Sequence, residues 1–279
     1  MSTRWRRSPP RLLWVLLTEA SVVTTLAVLP YALELRRQAL TAVDSRRRAA
    51  GKRPVRRGAL AAIAAVQAHL MFGSAAWIGL RLGRPLGFGA PYLEDWLMGH
   101  PWRLGRRAVG AYAFAGLSAA SLATAVDAWL FPDVIAELRR RGIRPPGAWQ
   151  GMLAATYGGV AEEVLVRLGI QTALTAATRR LTGDSRTPPG PVTVLPAVAG
   201  STILFGAGHL PTAYSLGLRG RSVVVRTLAI NGIPGALFGT LYWRRGLEAS
   251  MIAHLATALT LTVAVPAIER LSGHDGHTG

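Results

Sequence analysis

Five ionisable residues stand where such residues are expensive. The stretch GGVAEEVLVRLGI, residues 158–170, sets Glu162, Glu163 and Arg167 in a Gly- and Ala-rich apolar run, and His209 and His254 interrupt two later apolar runs. A charge inside a bilayer-spanning helix costs a few kcal/mol or more, so such groups pair with one another or face a wet cavity. On a helix, residues four apart share a face while neighbours diverge by about 100°. Glu163 and Arg167 therefore form an acid-first i,i+4 pair with a structural role. Glu162 has only Leu165 and Val166 at the pairing offsets and is left free to act. A carboxylate with an imidazole can draw a proton from water, and a second imidazole can stabilise a developing oxyanion. The plainer reading makes the trio a packing clamp and the histidines interhelical hydrogen-bonding groups. Two histidines and an unpaired carboxylate on three separate spans favour chemistry.

The elements that position these residues are membrane helices. Half of the 279 residues are apolar, the mean hydropathy is +0.29, and the apolar residues gather into runs of the roughly 20 residues that a bilayer core demands. The runs fall at 12–33, 59–80, 108–131, 149–177, 192–210, 222–243 and 247–268. The expected fold is all-α, a polytopic integral membrane helical bundle of about seven transmembrane helices. The first run, preceded by Arg4, Arg6, Arg7 and Arg11, is too long for a secretory leader and lacks a small-x-small cleavage site, so it reads as an uncleaved span.

The formal charge of +18 would point to nucleic acid in a soluble chain. Here all basic residues except Arg167 and Arg226 fall in loops and tails, a pattern suited to anionic headgroups, and no nucleic-acid partner is expected. The loop 36–57 is the most basic and by itself would face the cytoplasm. With no cysteine in the chain, disulfides, thiolate metal sites and cysteine nucleophiles are excluded. Among the remaining features, Gly235 and Gly239 form a GxxxG pair suited to close helix packing. Glu19 and Asp127 are expected to pair across helices, His69 to bridge helices, and Arg226 to reach the interface as a snorkelling side chain. His274 and His277, in the polar tail, make only a weak metal-binding pattern.

Taken in order, EEVLVR, FGAGH and GLEASMIAH resemble the three motifs of the CPBP family, the CAAX prenyl endopeptidases and bacteriocin-processing proteins, also called the Abi family. NGIPGALFGTLYWRRGLEASMIAH is similar to the family's approach to its last motif, and the resemblance covers roughly residues 155–262. It implies an endopeptidase whose site lies within the bilayer and whose substrates are membrane-associated peptides or proteins. Glu162 would activate the hydrolytic water with His209, and His254 would hold the oxyanion. Glu163, Arg167 and Phe205 would support them.

One position departs from the family pattern: four residues after His254, where Asn or Asp is usual, stands Ala258. Asn231 and Thr257 are the polar residues that could stand in. Members of the family are often named metalloproteases, and Glu162, His209 and His254 are chemically able to bind Zn²⁺. There is no HExxH, however, and a metal-free carboxylate–imidazole site is the favoured reading. The chain divides into amino-terminal helices and basic loops at 1–145, a CPBP-like catalytic core at 146–268 and a polar tail at 269–279, in a protein expected in a bacterial cytoplasmic membrane. The competing readings are a non-catalytic scaffold or binding protein that lost a donor at Ala258, and a proton-coupled transporter using the same buried charges.

Overall fold

The computed structural model describes residues 10–35, 37–53, 56–143 and 146–267. The tail histidines His274 and His277, and Arg4, Arg6 and Arg7, lie outside them. Among the described residues there is no strand. The chain runs through α1 (Pro10–Leu35), α2 (Arg37–Ala49), α3 (Arg57–Gly83), α4 (Pro91–Leu97), α5 (Arg106–Leu130) and α6 (Pro132–Arg140). It continues through α7 (Ala148–Tyr157), α8 (Thr172–Thr182), α9 (Pro191–Gly208), α10 (Leu210–Ser215), α11 (Arg221–Arg245) and α12 (Leu247–Leu259). The bundle is the polytopic helical fold that the apolar runs imply.

Six helical segments among the described residues are long and apolar enough to cross a membrane: Arg11–Leu35, Arg57–Leu86, Arg106–Leu130, Pro191–Ser215, Arg221–Arg245 and Leu247–Ala267. The remaining apolar run, 149–177, is helical throughout but changes pitch. Between α7 and α8 it passes through two π-helical stretches, Gly158–Glu162 and Val164–Gln171. π turns inside α-helices are rare and concentrate at functional sites; here the first stretch carries Glu162, the second Arg167, and Glu163 stands between them. This run is the centre of the bundle: α1, α3, α9, α11 and α12 all pack against it. Val164 and Leu168 join Phe72, Ala76, Val194 and Tyr242 in the principal apolar core.

Small residues bring the helices close. A Cβ at Gly235 would come within 3.2 Å of Thr202, and one at Gly239 within 2.7 Å of Gln171, so the GxxxG pair does pack, against α9 and the central helix. Two intramembrane charges pair as their signs allow. Asp127 on α5 receives two hydrogen bonds from Arg226 on α11, each 2.6 Å. Arg226 is therefore held inside the bundle by a carboxylate, which corrects the expectation of a snorkelling side chain. His69 Nε2 lies 2.8 Å from Glu19 Oε1 and joins α3 to α1.

Candidate active site

The π register decides how the opening motif is presented. Glu163 and Arg167 are fully buried, but the widened turn sets Arg167 Nε 3.7 Å from Glu163 Oε1, beyond hydrogen-bonding distance. Arg167 instead donates through Nη1 to Gln171 Oε1 (3.2 Å) and Ser201 Oγ (3.1 Å), and Gln171 passes the connection to the Gly239 carbonyl. The guanidinium also lies 5.6 Å from the centre of the Phe205 ring. The pair is thus an ion pair without a direct hydrogen bond, and Arg167 is braced mainly by α9 and its own helix.

Glu163 spends its hydrogen bond elsewhere. His254 Nδ1 donates to Glu163 Oε1 at 2.9 Å, across from α12. This fixes the imidazole: with Nδ1–H committed, Nε2 is the nitrogen left for chemistry, and it points to Glu162 Oε2 at 3.7 Å. The ring is stacked on Phe238 at 4.4 Å and 17°, and the Phe205 edge meets it at 5.6 Å. Gly158 completes the berth, since a Cβ there would stand 2.9 Å from His254 Nε2. Glycine is required by close approach alone, because its φ of −59° suits any residue.

His209 caps the carboxyl end of α9. Its Nδ1 donates to the Phe205 carbonyl at 2.9 Å, and its ring meets the Phe205 ring at 4.8 Å. Nε2 is again the nitrogen left available. Phe205 consequently touches both imidazoles and Arg167, which gives it a physical role in spacing the set.

Glu162, His209 and His254 line one cavity of about 480 Å³, together with Phe205, Asn231 and Ala258. Glu162 and Glu163 thus part company as neighbours on a helix should: one faces the cavity, the other the core. Asn231 Nδ2 donates to the Thr227 carbonyl at 2.8 Å, which leaves it one further amide hydrogen. Thr257 reaches the cavity wall, but its hydroxyl is directed at the Gly116 and Ala253 carbonyls, each at 2.9 Å. It has no second proton to offer, which removes it from the possible replacements for the side chain missing at Ala258.

Among the described residues no three His, Asp or Glu side chains converge as metal ligands.

Sequence reasoning missed the far wall of the cavity, which α1 supplies through Thr25, Leu29, Tyr31 and Leu35. Nothing in α1 beyond its apolar length signalled this. Gly158 was legible only as half of a Gly-Gly pair beside two glutamates. Asp127 and Arg226 could have been matched as the opposite charges of two spans.

No curated protein and no solved structure matches this chain. A family model does match, over residues 144–260: type II CAAX prenyl endopeptidase Rce1-like. The match takes in Glu162, Glu163, Arg167, Phe205, His209 and His254 and leaves α1 outside it. The ordered motifs, the helical bundle and this match agree: residues 144–260 of this polytopic helical protein are similar to the Rce1-like, CAAX prenyl endopeptidase (CPBP) family.

Proposed function

We propose that this protein hydrolyses peptide bonds of membrane-associated peptides or proteins with a water molecule activated by Glu162 and His209. The observation that carries the reading is the convergence of Glu162, His209 and His254 on one cavity within the helical bundle. Water held between the Glu162 carboxylate and His209 Nε2 gives up a proton as its oxygen attacks the scissile carbonyl carbon. In its protonated form His254 presents Nε2–H to the resulting oxyanion, while Glu163 holds Nδ1–H and balances the imidazolium charge. Glu162, Glu163, Arg167 and protonated His254 then sum to zero charge, which favours a buried set. The proton taken from water returns to the leaving amine as the C–N bond breaks, giving a carboxylate and an amine. No step passes through a metal.

Asn231 supplies the second oxyanion donor in this reading, from α11, in place of the side chain absent at Ala258. The apolar wall formed by α1 suits a substrate that enters with a hydrophobic segment or chain. The scaffold reading rests on Ala258 alone. Cleavage of a panel of membrane-anchored peptides by purified protein in detergent separates the two. The enzyme cleaves, Glu162→Gln abolishes cleavage with the melting temperature preserved, and a chelator changes nothing. A folded wild type that cleaves no member of a broad panel refutes the enzyme. Chelator-sensitive cleavage refutes the metal-free mechanism.

A further inference from the structure

A second recess lies far from the cavity and belongs to a different face. The amino end of α1 and the carboxyl end of α3 together form a groove of about 860 Å³ lined by Arg11, Trp14, Val15, Trp77, Leu80 and Arg81, with Arg84 at its edge. The site cavity is bounded by the other end of α1, at Tyr31 and Leu35. Twenty residues of helix separate Arg11 from Tyr31, about 30 Å at 1.5 Å per residue. The two recesses therefore sit towards opposite ends of α1.

Three arginines line the groove and no carboxylate does. Arg11, Arg81 and Arg84 are exposed. Trp14 is fixed, its Nε1 donating to the Gly73 carbonyl at 2.8 Å. Trp77 is 58% exposed, and the Arg81 guanidinium lies 5.7 Å from its ring centre, which draws that cation towards the α1–α3 seam. Val15 and Leu80 continue the recess as apolar surface. Indoles favour the interfacial zone of a bilayer, where one edge is wet and the other apolar. Guanidinium groups match phosphate oxygens in pairs, and basic pockets between membrane helices accept anionic headgroups.

We propose that this groove is a binding site for an anionic glycerophospholipid. Its phosphate lies between Arg11 and Arg81, and an acyl chain runs over Trp77, Val15 and Leu80. Recognition is by charge: a headgroup whose phosphate is not neutralised by its own ammonium suits Arg11 and Arg81, and a zwitterionic one does not. The site is independent of the proposed hydrolysis.

The test titrates detergent-solubilised full-length protein with phosphatidylglycerol brominated on its acyl chains and follows quenching of tryptophan fluorescence. Brominated phosphatidylcholine and inorganic phosphate serve as further arms. Losing two arginine–phosphate contacts at about 1 kcal/mol each corresponds to roughly thirtyfold weaker binding. Phosphatidylglycerol is therefore expected to quench at much lower concentration than phosphatidylcholine. Arg11→Gln/Arg81→Gln is expected to weaken it by about thirtyfold, and Trp77→Phe to remove a large share of the quenching while leaving the lipid preference of the rest intact. Inorganic phosphate is expected not to displace the lipid. Equal quenching by the two lipids, an unchanged preference in the double variant, undiminished quenching in Trp77→Phe, or full displacement by inorganic phosphate would each overturn the proposal.

Discussion

Gly158→Ala isolates the placement of His254 from every other property of the site. The glycine is helical, with φ −59°, so alanine suits its backbone and improves the local helix propensity by about 1 kcal/mol. The added Cβ stands 2.9 Å from His254 Nε2, against an ordinary contact of 3.4–4 Å, so the ring must retreat by at least 0.5 Å. It has nowhere easy to go, being hydrogen-bonded through Nδ1 to Glu163 at 2.9 Å and stacked on Phe238 at 4.4 Å. Overpacking of this kind costs about 1–3 kcal/mol, which the helix gain partly offsets. The fold is therefore expected to survive with a small fall in melting temperature. Activity is expected to fall much further, because a misplacement of about 1 Å at a catalytic group costs on the order of a hundredfold; half that displacement should give a loss of about tenfold or more in kcat/KM. Gly110→Ala, on α5 with open space around its Cβ, is the matched control. The assay is peptide cleavage with parallel thermal unfolding in the same detergent. A Gly158→Ala protein that unfolds like the wild type and cleaves at the wild-type rate would refute the argument that Nε2 of His254 works from this position.

Glu163→Gln keeps the volume but leaves Arg167, with its Nε and Nη2 already unpartnered, as an uncompensated buried charge. A loss of about 3–5 kcal/mol is expected, and Glu163→Gln/Arg167→Met should recover much of it; chemical denaturation that finds the double variant no better than the single one rules out the coupling. Ala258→Asn is expected to raise cleavage, and Asn231→Leu to lower it by about a hundredfold; kinetics unchanged by both would remove Asn231 from the oxyanion site. Outside the spans, burial pushes the Glu94 carboxyl up to about 7 from an ordinary 4.5, with Asp95 adding to the effect and the Ala90 backbone and Arg84 opposing it. The folded state then holds this proton more tightly than the unfolded chain. Its contribution is complete below 4.5 and is lost as pH rises through about 7. Unfolding measured across that window should show stability falling by up to about 3 kcal/mol, with Glu94→Gln flattening the slope; an unaltered slope would assign it to other groups.

Much of the fold was legible because the bilayer constrains it so tightly. Apolar runs of sufficient length have few alternatives to helix when every backbone polar group must be satisfied internally, and six of the seven spans read from the sequence reappear with shifted ends, the run 149–177 being helical but not among them. Of the candidate site, Glu162 was read correctly as facing away from Glu163, because adjacent residues diverge on any helical pitch. That His209 and His254 share its cavity depends on which faces of α9 and α12 turn inwards. Both helices are apolar nearly all round, so hydrophobic periodicity could not orient them.

The sequence by itself determined the class of protein, the spans, the buried charges and the ordered motifs, because these follow from composition and local spacing. It also implied that Glu163 and Arg167 serve each other, which assumes α-helical pitch. Tertiary structure keeps that ion pair but without a direct hydrogen bond, Arg167 Nε standing 3.7 Å from Glu163 Oε1 where the helix passes through π turns. Arg167 turns to Gln171 and Ser201, and Glu163 takes His254 from another helix. Likewise only packing could bring Asp127 to Arg226, or lay α1 along a cavity whose reactive residues begin more than a hundred positions later. Local pitch and long-range pairing depend on how neighbouring helices fill and satisfy one another, and that information is not local to any stretch of the chain.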